Sequence, residues 1–501
     1  AIDLGALNVS GNLDVTATGA ITDSGVLSVT GTANLTAAGI TLTQANVLGA
    51  VTVNAGTGNV LLTENDAIAV AAITHTGTLT LNAGTNGITQ TGDIEVGTGA
   101  LTLTGGTITL ANANNTFGAI TVNSGAGDVS LRQDGAMSVA GITRTSGNLT
   151  LNANAAASDL TLTGATQTTG AVTITARNID FAVGAGTALT ASNVSLTATD
   201  PTGGSGPDGK VTSNGAATID IDTSAANGPI AVMGNSIGTA VNPLIVKSGT
   251  GTMSFKATGT TVGNDDIFID YRNLSPATSD NLLTSRLTLG AAGSSITVRT
   301  LNGGITFDST ANFQSDTTND AFNFITNGGG IAFTGGILTG SSVNLTVLSG
   351  GGITSTTSTV PVINASGAVS LSVPSGAQIG STSNPLLISF ATLNCGGPCD
   401  PTAGFFVNQG FQLLTGEVNS TLSGIQAALT TEQSGPSELL TSGVLPENIF
   451  KSLGSQVLEI VGGAEGFGEE GEGSVGVKII DPIFDTGDTS PDDDLKKKKK
   501  K

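Results

Sequence analysis

The chain contains no tryptophan, one tyrosine, one histidine and two cysteines in 501 residues. Any Ser-His or Cys-His catalytic arrangement would have to be built around the single histidine, His75, which lies in a Thr-rich stretch (AITHTGT). The cysteines, Cys395 and Cys399, have no metal-ligating set beside them. Carboxylates are sparse and mostly isolated through the first 200 residues, as at Asp93 and Glu95, so a grouped pair for glycoside cleavage is not expected. These absences argue against an enzyme and give no reason to expect a cofactor or a metal. Cations are also few, 17 Lys and Arg against 38 acidic residues. The Thr/Gly-rich body carries only nine of them, unclustered along the chain, so no nucleic-acid partner is expected. No run of 18 apolar residues occurs, and no transmembrane helix is predicted.

What the chain does have is self-similarity. Residues Leu48–Asn82 (LGAVTVNAGTGNVLLTENDAIAVAAITHTGTLTLN) return as Phe117–Asn152 (FGAITVNSGAGDVSLRQDGAMSVAGITRTSGNLTLN). Repetition at fixed spacing marks a stacked architecture. Within it, short segments such as Leu79–Asn82 (LTLN) and Leu101–Thr104 (LTLT) alternate apolar residues with Thr, Ser or Asn. Alternation with period two places one set of side chains inside and the other in water. The segments recur every six to nine residues or so, shorter and closer than hairpin strands. The expected fold is therefore all-β: a right-handed parallel β-helix, or β-solenoid, with coils of roughly 20 residues. On that reading the repeat spans about three coils. Between its copies, Glu64 becomes Gln133 and His75 becomes Arg144, and these changing positions are expected on the surface.

Asn54, Asn82, Asn123 and Asn152 each close the same kind of strand. Stacked Asn amides can hydrogen-bond along a ladder, and Asn tolerates the left-handed backbone of a sharp corner. The organisation expected is regular β-helix over 1–250, a less regular Phe-rich β-helix over 251–393, and a Cys-loop segment over 394–410. A short helical segment follows over 411–462, then an acidic Gly-rich and poly-Lys disordered tail over 463–501. The stretch from Asp265 to Leu283 reads as a loop extruded from the rod, with Asp265, Asp266, Asp270, Tyr271 and Arg272 as solvated residues. Two modules, IGTAVNPLI from Ile237 and IGSTSNPLLI from Ile379, read as matching coil corners. Gly203–Asp208 fits half of a calcium nonapeptide but stands alone. The phosphate-loop-like GSGPDGKV places Val211 where Ser or Thr would hold Mg²⁺.

The FGAITVNSGAGDVSL and LGAVTVNAGTGNVLL units, with the two IGxxxNPL modules, resemble the rod of filamentous-haemagglutinin-like exoproteins over roughly four-fifths of the chain. The resemblance implies a large bacterial adhesin, exported by two-partner secretion through an outer-membrane β-barrel transporter. It implies a secreted or surface location in a Gram-negative bacterium and an unknown host-cell or surface receptor, protein or glycan. The chain opens already within the repeat pattern and reads as the C-terminal part of something longer. Cys395-Gly-Gly-Pro-Cys399 fits one small disulfide loop and resembles an anchoring element of some family members. Two other functions remain open: an ice-binding solenoid, from the Thr-x-Thr strands, and a polysaccharide-acting β-helix enzyme.

Overall fold

The computed structural model describes residues 1–123, 125–153, 158–201, 208–259, 266–272, 281–290, 295–308, 321–357, 360–396 and 407–409. The chain divides into two units, Ala1–Ala428 and Leu429–Lys501. The second, with most of the expected helical segment and the charged tail, lies outside the described residues. The first is an all-β parallel solenoid of about 16 turns.

The register shows how the turns stack. Ile2 pairs with Ile21, Ile21 with Ile40, Ile40 with Val60, Val60 with Leu79, Leu79 with Leu101, and Leu101 with Ile120. Each step is roughly 20 residues, the size expected of a coil. Further on the turns grow. Ile179 pairs with Val211 and Ile237 with Ile267, steps about half as long again. Lengthening thus begins well before residue 250.

The alternation in the sequence explains the packing. In Leu79–Asn82, Leu79 and Leu81 are fully buried while Thr80 and Asn82 are half-buried. Each buried Leu contributes about 2 kcal/mol relative to exposure, and apolar residues pack in continuous columns because parallel strands repeat in register. The outer faces carry Thr and Ser, whose branched or short side chains suit a pleated surface. In the longer turns aromatic rings take over the interior. Phe307 stacks on Phe333 at a centroid distance of 4.5 Å and meets Phe324 edge-on at 5.2 Å.

The long sequence repeat does not span a whole number of turns. In the first copy, Leu79–Asn82 belongs to the ladder that runs from Ile2 through Ile120. In the second, Leu149–Asn152 belongs to the other main ladder, pairing with Val129–Arg132 and Ala171–Ala176. Val60–Glu64 and Val129–Arg132 differ in the same way. The expected three coils are therefore about three and a half, so the two copies present equivalent residues on different ladders. A turn is built from similar strand-and-corner pieces, and chain similarity does not distinguish them.

The IGxxxNPL modules form matching corners. Gly238 and Gly380 have φ of 65° and 71°. Thr239 N–H donates to the Asn242 carbonyl at 2.9 Å, and Ser381 N–H to the Asn384 carbonyl at 3.0 Å. The two hydroxyls in turn accept from Asn242 N–H at 2.9 Å and Asn384 N–H at 3.0 Å. Among the described residues, no helix is long and apolar enough to cross a membrane.

Candidate functional site

The positions that change between the repeat copies are buried, contrary to the surface placement expected for them. Glu64, Gln133, His75 and Arg144 are 4, 2, 3 and 3% exposed. They sit at corners, where the chain leaves a strand and its backbone groups need partners. Arg144 Nη1 donates to the Gly105 carbonyl at 2.9 Å, and its Nη2 donates to the carbonyls of Gly106 at 2.5 Å and Gly127 at 3.0 Å. His75 Nδ1 lies 3.3 Å from the Gly58 carbonyl. Burial lowers the pKa of both groups. A corner lined with glycine carbonyls accepts either donor, so the two exchange although neither meets water.

The four strand-end Asn residues occupy mixed columns. Asn54 pairs with Thr36 and Thr74, and Asn152 with Arg132 and Thr175. Asn82 pairs with Thr63 and Thr104, while Asn123 Nδ2 donates to Thr104 Oγ1 at 2.8 Å. None has a left-handed backbone; Asn227 is the one such non-glycine among the described residues. The residues that do tie corners together are Asn and Asp one step before a strand. Asn12 Oδ1 accepts from Thr32 N–H, Asn59 Oδ1 from Thr78 N–H, Asp128 Oδ1 from Asn148 N–H, and Asn148 Oδ1 from Ala171 N–H, all at 2.8–3.0 Å. Their signal in the sequence is Gly, then Asn or Asp, then an apolar strand residue, as in GNL, GNV and GDV.

The richest polar cluster lies in the longer turns. Asp270, read from the sequence as a solvated loop residue, stands in the strand Ile267–Tyr271 and is 0% exposed. Tyr271 is buried too, its hydroxyl donating to the Gly249 carbonyl at 3.1 Å. Asp266 Oδ1 accepts from Ser295 N–H at 3.0 Å, and Asp265 lies outside the described residues. Asp270 Oδ2 lies 2.6 Å from Arg299 Nη2 and 3.3 Å from Arg272 Nη2. Arg272 Nη1 also donates to the Thr218 carbonyl at 2.9 Å. Two turns back, Asp220 accepts from Ser213 Oγ at 3.0 Å and Ile245 N–H at 2.8 Å. Burial pushes Asp220 up to about 6. Lys247 pairs with Asp222 at 3.0 Å. Lys247, Arg272 and Arg299, far apart along the sequence, are thus gathered on successive turns, each beside a carboxylate. Removing the cations beside the fully buried Asp270 would leave its charge uncompensated, which costs more than the pairs contribute, so the cluster ties the turns together.

Beside the later turns, an open groove is lined by Ser349, Gly350, Gly351, Gly352, Pro374 and Gln378. A Cβ on Gly352 would lie 2.1 Å from the Gln378 carbonyl, so glycine is required by the close approach of the next turn.

Of the remaining sequence candidates, Cys395 lies opposite Leu371, on the last strand of its ladder among the described residues, and is disulfide-bonded. Cys399 lies outside the described residues, as do residues 202–207 of the calcium-like stretch. Asp208 is described and lies 3.7 Å from Arg177 Nε. Val211 belongs to the strand Lys210–Ser213, so no helix follows the phosphate-loop-like segment.

A family model described as Repeats of unknown function (DUF5649) matches residues 1–55 and 57–124. The matched stretches coincide with the short, regular turns that run from Ile2 to Ile120. No curated protein and no solved structure matches the chain.

Proposed function

We propose that the chain is the structural rod of a secreted or surface adhesin of the filamentous-haemagglutinin-like kind, mediating attachment to host cells or surfaces. The observation that carries the reading is a long parallel solenoid whose outer ladders are built of Thr and Ser and whose ionic groups join one turn to the next. The repeat match over the regular turns and the texture of the FGAITVN and IGxxxNPL units support it. On this reading the protein works without a cofactor and without catalysis. It passes an outer-membrane transporter of the two-partner type and reaches the surface of a Gram-negative cell. The receptor is a host or surface protein or glycan, met by the longer turns beyond Ile179, where the chain departs from the regular coil. Deletion of residues 1–393 from the adhesin in its native cell should abolish attachment. Unchanged attachment would overturn the proposal.

A second reading, ice binding, is favoured by one observation. Thr109, Ser130, Thr150, Thr173 and Ser195 stand in one register column on successive turns. Ladder hydrogen bonds set their spacing, whatever the length of the corners between them. Thermal hysteresis of the purified rod would favour it, and its absence would remove it.

A further inference from the structure

At the corner after the strand Val60–Glu64, two carboxyl groups meet where the fold provides no donor between them. Glu64 is 4% exposed. Its Oε2 accepts from Leu48 N–H at 3.1 Å. Its Oε1 and the Oδ1 of Asp66 are both buried and lack a donor. The two side chains are within hydrogen-bonding reach of each other. Ionised carboxylates only accept, so a buried pair in contact is satisfied when one proton lies between them.

The surroundings supply no cation in its place. On the preceding turn, Gly39–Gly56 contains no Asp, Glu, His, Lys or Arg. On the following turn, neither Leu79–Asn82 nor Ile88–Gln90 does. Asn46, opposite Glu64 in register and fully buried, donates its Nδ2 to Asp23 Oδ2 at 2.8 Å. Asp23 is therefore a further carboxylate linked to this corner, and it adds negative charge.

We propose that this corner is a proton-held joint: one proton shared by Glu64 and Asp66 closes it, and losing that proton opens the turn at Leu48. The step breaks one carboxyl O–H bond and passes the proton to water or hydroxide. Two adjacent carboxylates remain, one swings toward solvent, and Leu48 N–H loses its acceptor. Burial, with Asp66 adding to it, pushes Glu64 up to about 8, so opening grows as pH rises toward that value. In the second repeat copy Gln133 and Gly135 stand where Glu64 and Asp66 stand, so the pair is absent there. Gln133, 2% exposed, donates its Nε2 to the Ala136 carbonyl at 2.5 Å.

Hydrogen exchange at the Leu48 amide of the full chain, corrected for intrinsic rate, tests the joint between about pH 6 and about pH 9. In the native protein, protection should fall by up to about tenfold per pH unit as pH rises toward about 8 and level off above it. In Glu64→Gln it should stay level, because the new amide donates to Asp66. Asp66→Asn should behave alike and serves if the first variant folds poorly. Level protection in the native protein, or an equal fall in both variants, would overturn the proposal. So would calcium ions restoring protection at high pH in the native protein, since the pair would then hold a cation.

Discussion

At the residue scale, the buried acids decide how stability follows pH. Glu64 and Asp220 have folded pKa values raised to about 8 and about 6, from 4.5 and 3.8. Between the two values of each group, the folded state binds more protons than the unfolded one. Its contribution is complete below the unfolded value and is lost as pH rises through the folded value. The stability these two acids contribute should therefore fall from about pH 4 to about pH 8, by up to about 1.4 kcal/mol per unit for each titrating group. The denaturant midpoint measured against pH checks this, and Glu64→Gln should flatten the curve between about pH 6 and about pH 8. These residues were the least legible in the sequence. Exchange of His75 for Arg144 looks like drift at a surface, because polar residues that vary are usually exposed. The corner glycine carbonyls make a buried position tolerant of either donor, and no pattern along the chain reports them.

At the scale of strands and corners, much more could be read beforehand. Strands such as Leu79–Asn82 and Leu101–Thr104 lie where period-two alternation places them. The Phe residues after residue 250 do stack inside, as Phe307 and Phe333 show. Corner chemistry was half legible. Strand-end Asn residues drew attention, while Asn59, Asp128 and Asn148, each just after a glycine or one step from it, make the bonds from turn to turn. The preceding glycines matter as much. Gly147 has φ of 98°, and a Cβ there would lie 2.2 Å from the Gly127 carbonyl. Gly147→Ala should cost about 1–3 kcal/mol, from strain and from displacing the turn beneath. Gly5→Ala should change stability by under about 0.5 kcal/mol, since nothing lies within 4 Å of its Cβ position. Equal losses from the two substitutions in thermal unfolding would contradict the corner geometry.

At the scale of the whole described solenoid, the repeat shows what chain similarity can and cannot place. It announced stacking correctly. It did not disclose that one repeat makes about three and a half turns, because each part of a turn uses the same strand-and-corner grammar. The consequence is functional. A residue repeated in the sequence does not form a repeated patch on one face, so single faces are read by register columns. The most direct measurement is disulfide trapping of paired cysteines on the outer ladders. Thr80 and Thr102 are register partners on adjacent turns, whereas Thr80 and Thr150 are repeat equivalents on different ladders. Neighbouring strands lie about 4.8 Å apart, within the range that a disulfide spans. Thr80→Cys with Thr102→Cys should cross-link on mild oxidation, and Thr80→Cys with Thr150→Cys should not. Trapping of the second pair with failure of the first would contradict the stacked register on which this account rests.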